Sequence, residues 1–137
     1  MVTWSLRPSK VPEATTSGWP SAWAGTAAEY DHDLDRLDAA TTLFTATARE
    51  AAAMFPTNAN VAMTTALAGV GPDRTQVTLV ADPSATANRH EVVAEGAFGR
   101  LEIVIANEPL ADNPRTSTLA ALNLVRAIEN RAATIVL

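Results

Sequence analysis

The chain has 137 residues, 47 % apolar and 18 % charged, which suits a single domain with a compact core. Its formal net charge is -5 and its one lysine is Lys10, so no basic cluster suits a nucleic-acid backbone or an anionic membrane. It has no cysteine, which excludes disulfides, thiolate nucleophiles and Cys-ligated zinc and fits a reducing, cytoplasmic setting.

Val2–Leu6 alternates Val, Thr, Trp, Ser and Leu, the period-2 pattern of a half-buried strand. The N-terminus carries neither a basic leader nor an apolar run, so no signal peptide is expected, and no stretch approaches the ~20 apolar residues of a membrane span. Arg7–Tyr30 contains Pro8, Pro12, Gly18, Pro20 and Gly25, and this density predicts an irregular segment. Trp19 and Trp23 within it are expected to pin the loop onto a core edge, with a lid or partner surface as the alternative. Asp31–Asp38 reads as an acidic turn or short helix, with Leu34 and Leu37 on one face. Thr41–Ala46 is β-branched and aromatic enough for a strand. A helix follows from Ala48 until Pro56 ends it. Asn58 or Asn60 can cap a second helix that runs through Ala68 and stops at Gly69, Gly71 and Pro72. Thr75–Ala81 is a strand broken by Asp82-Pro83. His90–Glu95 and Gly99–Asn107 form a hairpin around Gly96–Gly99. Asn113-Pro114 opens a last helix with Leu119, Leu122, Val125 and Arg126 as its stripe, and Ala132–Leu137 closes as a strand. The expected class is α+β: a mixed, largely antiparallel sheet with helices packed on one face, in one domain spanning residues 1–137.

No Gly-x-Gly-x-x-Gly, Walker loop or Gly-x-Ser-x-Gly occurs, so the chain shows no phosphate cradle of its own. Asp31-His32-Asp33 is best read as a solvated turn, because three adjacent side chains seldom converge on one metal; no metal site is expected. Asn88-Arg89-His90-Glu91 is the richest stretch. An imidazole can give and take a proton near neutral pH, although a lone histidine on a sheet is more often structural. Strand alternation sends Glu91 to the opposite face and leaves Asn88 on the side of His90 if the strand already runs there. Asn58 and Asn60 are ordinary N-cap candidates, yet a helix start with spare amides also suits a carboxylate or amide ligand.

Three stretches in register carry a family resemblance. Phe55-Pro56-Thr57-Asn58-Ala59-Asn60-Val61-Ala62 resembles the FPxNxNVA stretch of the L-aspartate dehydrogenase family. Ala81-Asp82-Pro83 through Asn88-Arg89-His90-Glu91-Val92 and Glu95-Gly96-Ala97-Phe98-Gly99 resembles its ADP…NxHEI…EGxFG segment. Asn107-Glu108-Pro109-Leu110 with Asn113-Pro114-Arg115-Thr116-Ser117 resembles its NxPLxxNPKTS segment, with Arg115 in place of lysine. The similarity runs from about Thr41 to the C-terminus and is weaker at Val2–Leu6 and near Pro20–Gly25.

The resemblance implies a family that interconverts L-aspartate and iminoaspartate with a nicotinamide cofactor. Its members place a Rossmann domain before an α+β catalytic and dimerisation domain, and this chain resembles the second domain alone. It implies His90 as the catalytic residue, Asn60 as the cofactor contact near the nicotinamide, and Asn88, Asn58, Thr116 and Ser117 as substrate-pocket residues. NAD or NADP would then require a nucleotide-binding domain, since 137 residues leave no room for one, and the isolated chain would bind nicotinamide nucleotides poorly. The expected partners are a small dicarboxylate or amino acid and further copies of the chain, in a homodimer or higher homo-oligomer, with no nucleic acid and no membrane. Met1 directly before a strand motivates an alternative: a stand-alone, cofactor-independent isomerase, lyase or cyclase using His90 beneath the tryptophan loop. A non-enzymatic dimeric binding module is the third possibility.

Overall fold

The centre of the sheet is a segment that reads as irregular in sequence. The computed structural model describes residues 11–97, 99–107, 109–110 and 113–117. Within it, β1 (Glu13–Gly18) lies between two neighbours and alternates strictly, with Ala14, Thr16 and Gly18 buried and Glu13, Thr15 and Ser17 turned outward. Pro12 and Gly18 bracket this strand rather than interrupt it, and its inward residues are too small to register as an apolar run. The expectation of irregular structure from Arg7 to Tyr30 is therefore corrected for Glu13–Gly18.

After β1, a 3₁₀ turn at Pro20–Trp23 leads to the short helix α1 (Ala28–Asp31) and a second 3₁₀ turn at Leu34–Arg36. Then come β2 (Thr41–Thr47), α2 (Ala48–Met54), α3 (Asn60–Ala68), β3 (Gln76–Ala81), β4 (Asn88–Gly96) and β5 (Gly99–Asn107). The five long strands form one sheet in the order β2-β3-β1-β4-β5. β1 runs parallel to β3 and antiparallel to β4, while β2–β3 and β4–β5 are antiparallel. The sheet is thus mixed and largely antiparallel, and the α+β class holds.

Two further short strands, β6 (Pro109–Leu110) and β7 (Asn113–Ser117), pair with each other. This corrects the reading of Asn113-Pro114 as a helix start. Proline suits a helix's first turn, but it is equally at home at the beginning of an edge strand, where it need not donate to a ladder. The expected strand at Val2–Leu6, the helical stripe from Leu119 and the closing strand at Ala132–Leu137 lie outside the described residues.

Helices α2 and α3 cover the face that carries Ala14, Val77, Leu79, Ala81 and Val92. They meet it through alanines: Ala48 and Ala51 from α2, Ala62 and Ala66 from α3, all at most 1 % exposed. Residues three or four apart share one helical face, and side chains this small let the backbone sit close to the sheet. The bulk comes from Phe55, which meets Trp23 edge-on at 6.3 Å between ring centroids and Phe44 at 5.2 Å. Trp23 is fully buried and Trp19 half-buried, so the tryptophan loop caps the core edge as expected. On the other face, Arg89 and Glu91 form an ion pair at 3.2 Å.

Candidate functional site

His90 sits on β4 between Thr16 of β1 and Ile105 of β5. Paired residues in an antiparallel ladder project to the same side. Thr16 is buried beneath the helices, so His90 points to the helix-covered face, and its half-buried ring reaches Thr16 Oγ1 with Nδ1 at 3.0 Å. Nε2 has no hydrogen-bond partner among the described residues. Burial pushes the imidazole pKa below its ordinary value of 6.5, because the charged form loses water without gaining a carboxylate. The ring is therefore neutral near pH 7, with one nitrogen engaged and the other available.

β4 begins at Asn88, so Asn88 shares the face of His90 and Glu91 does not. Asn88 lies opposite Asn107, which is itself buried. Its side-chain oxygen occupies the space above Gly18, where any Cβ would collide with it. Gly18 has ordinary backbone angles, so its value is steric: it makes room for a carboxamide. On the other side of Gly18 lies the Ala22 methyl, 3.6 Å from the same Cβ position.

Ala22 links Asn88 to the start of α3. Asn58 Nδ2 donates to the Ala22 carbonyl at 3.2 Å. The structure thus gathers Asn58 and Asn88 around one loop carbonyl and one glycine. It also corrects the capping expectation, since the N-cap of α3 is Ala59 and no side chain caps the helix. The turn before it is closed by the amides of Asn58 and Ala59, both 3.0 Å from the Phe55 carbonyl, which leaves the Asn58 side chain aimed at the loop. Asn60 is the first helical residue and is exposed. With Ala59 at the N-cap, no side chain caps the leading amides of α3.

Thr116 and Ser117 belong to β7, with Ser117 opposite Pro109 of β6, which starts two residues after Asn107. Their place in the chain is therefore shortly after the end of β5, where Asn107 lies opposite Asn88. Asp82 is a turn residue, as expected: its carboxylate accepts from the Ser84 amide at 2.8 Å and hydroxyl at 2.7 Å, which holds its pKa below the usual carboxylate range. His32 lines an open depression of about 550 Å³ with Glu29, Asp31, Asp33 and Asp35, remote in sequence from His90. Among the described residues, no three of His, Cys, Asp or Glu are grouped to hold a metal ion.

Thr16, the hydrogen-bond partner of His90, is not legible as a site residue in sequence, because Pro12, Gly18 and Pro20 make its surroundings read as a loop. The signal is the alternation of small residues Ala14, Thr16 and Gly18 with Glu13, Thr15 and Ser17.

The aspartate dehydrogenase C-terminal family model matches residues 8–131. The chain belongs to that family. It is 60 % identical over 116 residues to the L-aspartate dehydrogenase of Brucella anthropi, covering 85 % of this chain and 43 % of that one. It is 56 % identical over 111 residues to the L-aspartate dehydrogenase of Cupriavidus necator, covering 81 % and 42 %. Among solved structures, the aspartate dehydrogenase of Thermotoga maritima superposes with a TM-score of 0.65 at 27 % identity, over 93 % of this chain and 46 % of that one. The chain thus spans less than half the length of the curated relatives it matches. In this chain the mixed five-stranded sheet carries the half-buried His90, and no helix among the described residues is long and apolar enough to cross a membrane.

Proposed function

We propose that this chain supplies the substrate side of an L-aspartate dehydrogenase reaction, with His90 as the group that exchanges a proton with the substrate. The observation that carries this reading is the arrangement around His90. Nδ1 is held by Thr16, Nε2 is free of partners among the described residues, and Asn88 stands on the same face two residues away. In the oxidative direction the aspartate amine gives up a proton, and the α-carbon gives up a hydride, yielding iminoaspartate. Water then adds to the imine and ammonia leaves, producing oxaloacetate. His90, neutral near pH 7, serves the proton exchanges at the nitrogen and at the attacking water.

A dicarboxylate needs donors at both ends. Asn88 and Asn58 contribute carboxamides, Thr116 and Ser117 contribute hydroxyls, and the uncapped amides of α3 contribute a partial positive charge. The negative overall charge of -5 gives no general attraction for a dianion, so recognition rests on these local donors.

The cofactor is read as NAD or NADP, which accepts the hydride when bound. The described residues fit one end of it only. Asn60 is exposed at the start of α3 and suits the carboxamide of the nicotinamide ring. The chain has no glycine-rich turn of dinucleotide-binding type, so the phosphates and adenosine belong to a nucleotide-binding domain elsewhere. The same reading assigns the protein to the cytoplasm, in keeping with a chain without cysteine, and to a homodimer built on this domain.

The test is a chimaera that joins the chain to the nucleotide-binding half of the Brucella anthropi relative. The expected result is aspartate-dependent reduction of NAD or NADP, with other amino acids at least about tenfold poorer in kcat/KM. A folded chimaera that binds nucleotide yet shows no preference for aspartate contradicts the reading.

A further inference from the structure

We infer that Thr16 fixes the resting tautomer of His90, so that the ring presents Nε2–H, a donor, to whatever binds beside it. This deepens the proposed role of His90 and rests on that reading. The argument starts from the hydroxyl. Thr16 is 7 % exposed, and its one hydrogen bond among the described residues is the 3.0 Å contact to His90 Nδ1. Two arrangements fit that distance. If Nδ1–H donates to Oγ1, the threonine's own O–H is left buried with no acceptor. If Oγ1–H donates to Nδ1, the hydroxyl proton is satisfied and the ring proton moves to Nε2, the nitrogen without a partner. A buried donor left unmade costs more than an unused lone pair on oxygen, so the second arrangement wins.

The consequence is chemical. A ring that rests as Nε2–H meets a ligand as a hydrogen-bond donor, and an oxygen is its natural partner: a carboxylate oxygen, or the hydroxyl that departs when ammonia condenses with a ketone. To receive a proton at Nε2, the ring must first release its Nε2 proton to water and take one from water at Nδ1, while Thr16 turns its hydroxyl to accept from Nδ1–H. A hydroxyl can make that turn because it both donates and accepts, and a carboxylate or carbonyl in the same place could not. Thr16 is therefore a positioning residue that acts through His90.

The experiment is a two-bond ¹H–¹⁵N correlation spectrum of the ¹⁵N-histidine-labelled chain at a pH above the imidazole's titration. His32→Gln removes the only other imidazole and assigns the signals. The expected result is a pyridine-like Nδ1 and a protonated Nε2 for His90, retained in Thr16→Ser. In Thr16→Val both nitrogens shift towards intermediate positions, as the tautomer preference falls by about tenfold. A protonated Nδ1 in the wild-type chain overturns the inference, and this measurement needs no variant to fold. Unchanged nitrogen shifts in a folded Thr16→Val overturn it too. Activity separates the two levels: if His90→Ala leaves the chimaera's turnover intact, the catalytic reading fails while the tautomer result stands on its own.

Discussion

Gly18 and Asn88 are best understood as one unit. A β-carbon at position 18 has to displace the Asn88 carboxamide, which is the end of a side chain and can rotate away. Gly18→Ala is therefore expected to change folding stability by less than about 1 kcal/mol, because alanine suits a strand better than glycine while one side chain must shift. Its effect belongs to the site: with Asn88 turned aside, kcat/KM of the chimaera for aspartate should fall by about tenfold, through the misplacement of one substrate donor. Chemical denaturation and steady-state kinetics on the same sample check both halves. Unaltered kinetics in a stable Gly18→Ala variant would remove Asn88 from the substrate pocket. The residue reading from sequence succeeded where alternation decides direction. Alternation puts Glu91 on the face opposite His90, and Asn88 on the same face as His90 if the strand already runs there; β4 begins at Asn88, and the strand register and the Arg89–Glu91 ion pair agree. It failed where a hydrogen bond crosses 74 positions of chain, since nothing local to Thr16 announces His90 as its partner.

At the level of elements, strong local signals were legible and weak ones were not. Helix α2 follows β2 without a loop, because Thr47 caps it at once. The Glu50 amide donates to Thr47 Oγ1 at 3.3 Å, and the Glu50 carboxylate accepts from the Thr47 amide at 3.0 Å. The Thr47 hydroxyl also donates to that carboxylate at 2.7 Å, and these bonds hold the Glu50 pKa below its usual value. Thr47→Ala is expected to lower stability by about 1 kcal/mol, or roughly 4 °C in Tm, read by thermal denaturation. A Tm unchanged within error would mean that packing alone sets this helix start. The α3 start shows the opposite case. Two asparagines there match the N-cap preference, yet the helix begins with Ala59 at its cap and uses Asn58 to tie down the tryptophan loop. Propensity identifies residues that can cap, while tertiary contacts decide whether they do. β1 and β7 were missed for a shared reason: proline and glycine at a strand's boundary look, in a linear reading, the same as proline and glycine within a loop.

On the scale of the whole molecule, the sheet divides its work between faces and edges. The helix-covered face holds the alanine-lined core and His90 together, so the ring is fixed by the same packing that stabilises the domain. The opposite face is mixed: across β1 and β3 it pairs Glu13 with Gln76 and Thr15 with Thr78, but Ser17 with Val80. The edge strand β5 leaves Leu101, Ile103 and Val104 more than 40 % exposed. The α+β architecture was legible because hydrophobic period and turn residues survive in short strands, whereas the strand order β2-β3-β1-β4-β5 was not, because it depends on a central strand made of small side chains. The pH dependence of kcat/KM for aspartate, measured on the chimaera and on its His90→Ala variant, tests the central role given to His90. Because burial lowers the pKa of His90 from 6.5, the wild-type rate should be full above that value and fall on the acid side, with a midpoint below 6.5. The variant should lose that limb and be slower by about 100-fold or more. A variant with the same rate and the same acid limb would contradict the account.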